Sequence, residues 1–310
     1  MTRALILAAG LGTRLGELSD ERPKPLLPVC NVPLIQYAVA LLRGAGITEI
    51  AVNLHHRGEL IRAELGDGFH YSEEATILGT GGGIVKIADW LTNGGRDSFV
   101  VVNGKIVSNI DVAATLRHHD ATNAVATMVV REVPDAEKWG AIYVDDDGRV
   151  TRIVGQGAMS AHACMFTGVH VISPRLVARL PATGESDSIR QGYIPALLDG
   201  ERIEAIRDGG YWHEHSTPER YLQGNWNLLS GSVTLTQPPP HLGAISPSAV
   251  IEPGAQLSPL VVVGDRSVVR AGARLDRVVV WPDSTIDGEL ANAIVTPKGI
   301  TAVRDEPARR

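Results

Sequence analysis

Only two cysteines, Cys30 and Cys164, occur in 310 residues. They cannot build a disulfide framework, and no cysteine–histidine group has the spacing of zinc ligands. A basic excess is missing too: 29 Lys and Arg against 35 Asp and Glu leave a net charge of −6. No global positive field therefore recruits nucleic acid or acidic lipid, and a phosphorylated substrate must rely on a local site. No stretch reaches the length of a membrane span. The apolar run Ala4–Ala9 is too short for a secretory signal and ends at Gly10. A cytoplasmic protein without membrane or nucleic-acid partners is the expectation. With 44% hydrophobic and 21% charged residues the composition excludes wholesale disorder.

What is there alternates between two periods. Ala4–Leu7, Glu49–Leu54 and Phe99–Val102 read as short buried strands. Pro33–Leu42, Gly58–Leu65, Ile84–Leu91 and Val112–His119 read as helices. Apolar strands alternating with helices predict a Rossmann-like α/β fold, with a mixed, mainly parallel sheet and helices on both faces. Further on, Ala141–Val144 and Arg149–Val154 flank the turn Asp145-Asp146-Asp147-Gly148 as a hairpin. A last helix is expected from Pro218 to Leu229, and Pro238-Pro239-Pro240 reads as a stiff linker.

Past the linker the period becomes six. Aliphatic residues fall at Ile245, Ile251, Leu257, Val263, Val269 and Leu275, with Trp281 next in the count. Four residues after each stands a small or β-branched one: Ala249, Ala255, Val261, Ser267, Ala273, Val279 and Thr285. A fixed period of this kind marks a stacked repeat, and it resembles the hexapeptide left-handed parallel β-helix. The register is expected to slip after Ile286. Acyltransferases that use this repeat need a histidine at a subunit cleft and more turns. Here the only histidine past the linker is His241, so an assembly module is expected, joining copies of the chain into a homo-oligomer. The division expected is 1–233 for the α/β domain and 243–302 for the β-helix.

Gly10-Leu11-Gly12-Thr13-Arg14-Leu15-Gly16 follows the first strand directly. The dinucleotide fingerprint G-x-G-x-x-G wants glycine where Leu15 stands, and Pro23-Lys24-Pro25 interrupts any helix opening on the loop. A G-x-x-x-x-G-K-[ST] phosphate loop fails as well, because Lys86 follows Val85 rather than glycine. Small residues let backbone N–H groups meet a polyphosphate, and Arg14 and Lys24 add charge. Taken whole, Leu7–Leu15 followed by Arg22-Pro23-Lys24-Pro25-Leu26-Leu27-Pro28-Val29 closely resembles the sugar-1-phosphate nucleotidylyltransferase family. Within that family it resembles the mannose-1-phosphate guanylyltransferases.

That resemblance implies a reaction of a nucleoside triphosphate with a sugar 1-phosphate, giving a nucleotide sugar and pyrophosphate. It places Ala9, Gly10, Gly12 and Thr13 along the nucleotide, with Arg14 on its phosphates and Lys24 at the reacting phosphoryl groups. Glu74-Ala75-Thr76-Ile77-Leu78-Gly79-Thr80-Gly81-Gly82-Gly83 looks like the family's base-reading loop, which marks Glu74, Gly79, Gly81 and Gly82 as nucleotide-binding. The loop lacks the glutamine that pyrimidine-reading members use, which favours a guanylyl, mannose-1-phosphate type. Val101-Val102-Asn103-Gly104 ends a strand at the sheet's carboxyl edge, where such sheets bind ligands, with Asn103 on the nucleotide and Gly104 on the sugar side. Gly168 in Phe166-Thr167-Gly168-Val169 resembles the sugar-side strand, and Trp212–Asn225 resembles the closing motif.

Two metal-binding positions and one sugar-phosphate position depart from the pattern. The family binds Mg²⁺ with an aspartate after Asn-Gly and a second aspartate in the closing motif. Here Lys105 and Glu214 stand there. A lysine cannot ligate Mg²⁺, so Mg²⁺ is expected to be held weakly by Glu214 alone or not to be required. Nearby Asp111 reads as the cap of the next helix. Where many members carry Glu-Lys-Pro, this chain has Gly155-Gln156-Gly157, a loss shared by some relatives. Three readings of Lys105 stay open: a surface lysine, an ammonium standing in for a metal charge, and a catalytically impaired homologue that binds nucleotide or nucleotide sugar as a regulatory subunit. His213 and His215 flank Glu214, and a transition-metal site there is a further alternative.

Overall fold

A computed structural model describes residues 2–303. The chain divides into two compact units. One holds the residues up to Leu11, Ala38–Gly104 and Ser108–Trp212; the other holds Gly12–Tyr37, Lys105–Val107 and the chain from His213 onward.

The first unit is built on a ten-stranded mixed sheet. Strands Arg3–Leu7, Glu49–Leu54, His70–Glu73 and Phe99–Asn103 run parallel, with Arg3–Leu7 between Glu49–Leu54 and Phe99–Asn103. The three central strands, Arg3–Leu7, Glu49–Leu54 and Phe99–Asn103, are mostly apolar on both faces, as a strand covered on both sides requires, whereas the edge strand His70–Glu73 is more polar and more exposed. His162–Ile172 continues the sheet antiparallel to Phe99–Asn103, and Ala126–Glu132 and Ile142–Val144 pair with it in turn. The hairpin read from the Asp-Asp-Asp-Gly turn forms as Ile142–Val144 against Val150–Ile153. Helix Val112–Thr122 starts where Asp111 accepts the Ala114 N–H at 2.8 Å.

One helix differs from its sequence reading. The periodicity places it over 84–91, whereas helix Gly79–Lys86 begins five residues earlier and a separate turn, Ala88–Leu91, follows Ile87. Helix propensity argues against a start in Gly79-Thr80-Gly81-Gly82-Gly83. Packing overrides it, because a Cβ at Gly79 or Gly82 would stand 2.5 Å from the carbonyl oxygen of Ser186 or Gly184. Only a bare helix can lie this close to the 184–186 strap, which binds it through Gly81 N–H to the Ser186 carbonyl and Ser186 N–H to the Leu78 carbonyl.

The second unit joins the 12–37 segment to helix Pro218–Leu229 and a stack of short parallel strands. Val250 pairs with Val268 and Gln256 with Arg274, so one coil takes eighteen residues, three hexapeptides. Val261, Val263, Val269, Leu275, Val280, Ile286 and Val295 fill the interior of the stack, as a β-helix requires. The slip comes earlier than the sequence count puts it. Val263 pairs with Val280, not Trp281, and Val268 with Thr285, so Val278 and Ser284 take the places assigned to Val279 and Thr285. The corner between Leu275 and Val279 is one residue shorter than that between Leu257 and Val262, and Arg277 turns it at φ 55°. Trp281 thereby leaves the repeat and is buried elsewhere.

Candidate active site

In the first unit, Leu7 and Asn103 lie side by side in register at the ends of parallel strands. Beyond Leu7 the backbone N–H of Ala8 donates to Asn53 Oδ1 at 2.6 Å. Asn53 in turn donates Nδ2–H to Glu74 Oε1 at 2.8 Å, and Glu74 Oε2 accepts the Leu78 N–H at 3.0 Å. This buried chain ties the glycine loop after the first strand to the 74–78 loop. Both carboxylate oxygens of Glu74 are thus engaged within the protein. Sequence reading missed Asn53, although one amide ending the apolar run Ile50-Ala51-Val52 was a usable signal.

The glycines have separate reasons. Gly10 has open space where a Cβ would be. Gly104 donates its N–H to the Leu7 carbonyl, and a Cβ there would press on Ile6 and that carbonyl at 3.0 Å. Gly168 sits at φ +84°, where the register of the long strand shifts, and a Cβ would lie 2.2 Å from Asn103 Nδ2. Asn103 and Gly168, expected on the nucleotide and sugar sides, are therefore brought together. Gly79, Gly81 and Gly82 are pressed against the protein's own strap, so the close approach that demands glycine is internal.

In the second unit Gly12, at φ +73°, precedes the turn Thr13–Leu15. The Lys24 side chain lies across it, its Cβ and Cε 3.5 Å from where a Gly12 Cβ would stand. Strands Ile106–Ser108 and Trp212–Glu214 pair, and the His215 N–H donates to the Lys105 carbonyl at 3.0 Å. This pairing sets Lys105 Nζ in an ion pair with Glu214 Oε1, and Arg14 Nη2 stands 3.8 Å from the same oxygen. Arg220 donates Nε–H to the Glu214 carbonyl at 2.9 Å. Lys105, Arg14 and Arg220 thus stand about one carboxylate, with Lys24 feeling the same charges, a surplus of positive charge in a protein whose net charge is −6.

The charges respond to that crowding. Partial burial lowers the Lys24 ammonium to about 8, and Lys105 and Arg14 add repulsion that Glu214 only partly offsets. For Glu214 burial favours the neutral acid, but Lys105, Arg220 and Arg14 outweigh it and hold the carboxyl below its ordinary range. His213 is pushed down to about 4 by burial, and His215, fully buried, falls well below its usual value. Both imidazoles are neutral near pH 7, so the positive charge belongs to Arg14, Lys24, Lys105 and Arg220.

Comparison with known proteins gives the family. Residues 3–231 match the family model described as nucleotidyl transferase. The chain belongs to the nucleotidyl transferase family. It is 31% identical to a mannose-1-phosphate guanylyltransferase of Mycobacterium tuberculosis, over 90% of this chain and 79% of that protein. A probable mannose-1-phosphate guanylyltransferase 2 of Arabidopsis thaliana is 27% identical over 90% of this chain and 81% of its own length. The fold is similar to that of HddC from Yersinia pseudotuberculosis, with a TM-score of 0.60 and 22% identity over 74% of this chain and all of that one.

For this nucleotidyl transferase the donor set argues against a Mg²⁺ held by the protein. A small hard cation wants several oxygen ligands, and here the one carboxylate is already neutralised by Lys105 amid further cations. Among the described residues no group of three or more His, Cys, Asp or Glu side chains is placed to hold a metal ion. No helix among them is long and apolar enough to cross a membrane.

Proposed function

We propose that the chain transfers a nucleotidyl group from a nucleoside triphosphate to a sugar 1-phosphate. An oxygen of the sugar phosphate attacks the α-phosphorus, the bond from that phosphorus to the β-phosphate oxygen breaks, and pyrophosphate leaves. Both substrates are polyanions, so the protein's task is to position them and neutralise charge. The observation that carries this reading is the Arg14–Lys24–Lys105 group about Glu214, framed by Gly12 and the Thr13–Leu15 turn. Arg14 and Lys24 bind the phosphates and stabilise the departing pyrophosphate. Lys105 supplies beside them a fixed charge in place of a protein-held metal ion, and Glu214 orients it. Ala9, Gly10, Gly12, Thr13 and Asn103 line the nucleotide, the backbone at Gly79, Gly81 and Gly82 with Glu74 shapes the base loop, and Gly104 and Gly168 lie on the sugar side.

The names of the relatives favour GTP and mannose 1-phosphate. We place the catalytic residues in 1–233 and assign 243–302 to a β-helix that joins copies of the chain. A pyrophosphate-release screen of NTPs against sugar 1-phosphates, run with Mg²⁺ and with EDTA, tests the activity. Turnover with GTP and mannose 1-phosphate that is retained in EDTA is expected. Binding of GTP without turnover of any pair would establish the second reading, a nucleotide-binding regulatory subunit, which the lysine at 105 favours.

A further inference from the structure

Lys24 lies in a segment with little secondary structure of its own. Between Arg22 and Pro28 the chain makes only the turn Lys24–Leu26, and the strand Pro28–Val29 beyond it pairs with Val32–Pro33 over two residues. Its own secondary structure does little to fix such a segment, so its place depends on what grips it. The Leu34 N–H and the Tyr37 hydroxyl donate to the Leu27 and Val29 carbonyls at 3.0 and 2.8 Å, and the remaining grips come from the C-terminal part of the same unit. The Arg22 guanidinium lies over the Trp281 ring, 5.7 Å from its centroid. The Trp281 Nε1–H donates to the Tyr221 hydroxyl at 3.0 Å, and that hydroxyl donates to the Pro28 carbonyl. Trp281 therefore holds the segment at both ends, once directly and once through Tyr221.

Neighbouring contacts repeat the pattern. Asn31 Nδ2 lies 3.1 Å from the carbonyl oxygens of Gly243, Ala244 and Val263, and the Gly243 N–H donates to the Cys30 carbonyl at 3.1 Å. Asn225 Oδ1 accepts the Cys30 N–H at 2.7 Å. On the other side of Lys24, Thr296 donates to Glu21 at 2.5 Å. The one-residue contraction of the coil is what frees Trp281 for this role, because Val280 takes the interior position. Trp281 and Tyr221 are both buried, so their polar atoms depend on each other and on Pro28.

We propose that Trp281, acting through Tyr221 and on Arg22, is a positioning residue for the cationic loop, so that the β-helix sets the phosphate-binding geometry of Lys24. This rests on the reading of Lys24 as a phosphate ligand. The β-helix is then part of the working site as well as an assembly module. Pyrophosphate bound at Lys24 and the attachment at Trp281 stabilise each other, since coupling between two sites is reciprocal.

The test uses the full chain and inorganic pyrophosphate as probe, with affinity measured by calorimetry and stability by thermal unfolding. Trp281→Phe keeps an aromatic ring over Arg22 and removes the N–H; Tyr221→Phe removes both hydroxyl bonds. Each should weaken pyrophosphate binding by about three- to tenfold, the factor carried by a lost neutral hydrogen bond. Val269→Ala, in the interior of the coils, is the control. It should lower the melting temperature at least as much and leave affinity unchanged. Unchanged affinity in both aromatic variants, or an equal loss in Val269→Ala, would overturn the proposal. If the wild-type chain binds no pyrophosphate, the reading of the cationic loop itself fails, and the positioning role fails with it.

Discussion

At the scale of the residue, Lys105 and Lys24 divide the chemistry. Lys105 is fixed by its ion pair with Glu214, and its ammonium repels the divalent ion that an aspartate there would attract. Lys105→Asp should therefore create a two-acid Mg²⁺ site opposite Glu214, read as Mg²⁺ binding without nucleotide where the wild type shows none. Turnover should fall, because Arg14 and Lys24 remain shaped around a third cation. A variant that binds no Mg²⁺ would show that the two acids cannot converge. Lys24 gives a pH test. Its native pKa of about 8 lies below its unfolded value, so burying the charge costs stability up to pH 8. Between there and the ordinary lysine range the unfolded chain holds the proton the native chain has given up, and this group's contribution improves as pH rises. Binding runs the other way. A polyanion favours the charged amine, so pyrophosphate affinity should drop from pH 7 to pH 9 relative to Lys24→Arg, which keeps its charge. Parallel pH profiles for the two proteins would refute this. Arg14→Ala should weaken NTP binding by about 1.5–3 kcal/mol, the range for a charged hydrogen bond, and unchanged affinity would remove Arg14 from the site.

At the scale of the element, what the sequence showed was what local pattern controls. Strand Glu49–Leu54 and helices Gly58–Leu65 and Pro218–Leu229 form where the periods and the proline at 218 put them, and Asp111 caps its helix as its position suggested. The glycine, proline and cation pattern from Gly10 to Pro28 pointed to the nucleotidyl transferase family for the same reason, since it is contiguous. Features set by distant partners were not legible. The helix over Gly79–Lys86 needs the 184–186 strap, and Asn53 matters only because Ala8 and Glu74 fold beside it. Trp281 was assigned to the repeat because a corner one residue short cannot be counted from the period alone. Gly82 makes the conflict measurable. Replacing a helical glycine by alanine should gain about 1 kcal/mol from propensity. Here the new Cβ would stand 2.5 Å from the Gly184 carbonyl oxygen, a backbone atom that cannot swing aside. Gly82→Ala should therefore lose about 1–3 kcal/mol, the overpacking range, in denaturant unfolding. A gain in stability would mean that the strap yields.

At the scale of the whole molecule, the β-helix leaves its first coil bare. Val250–Ile251 and Gln256–Leu257 pair on one side only, and Ile245 and Ile251 are exposed although the same positions in the next coil, Val263 and Val269, are buried; Val250 beside them is exposed as well. Unpaired parallel strands over exposed aliphatic residues form a template on which another chain can stack, and soluble proteins rarely leave such an edge uncovered. A second copy presenting the same end would cover it by a two-fold, self-complementary contact. Placing charges there with Ile245→Glu and Val250→Glu should lower the mass measured by light scattering to that of a smaller species. The substituted positions are exposed, so melting at low protein concentration should change little. Pyrophosphate affinity should also hold, since the Arg22–Pro28 segment is gripped at Trp281 and Tyr221, neither of which is changed. Identical masses for the variant and the wild-type chain would remove this end of the β-helix from assembly, and the bare coil would then have to be covered by something other than a second copy.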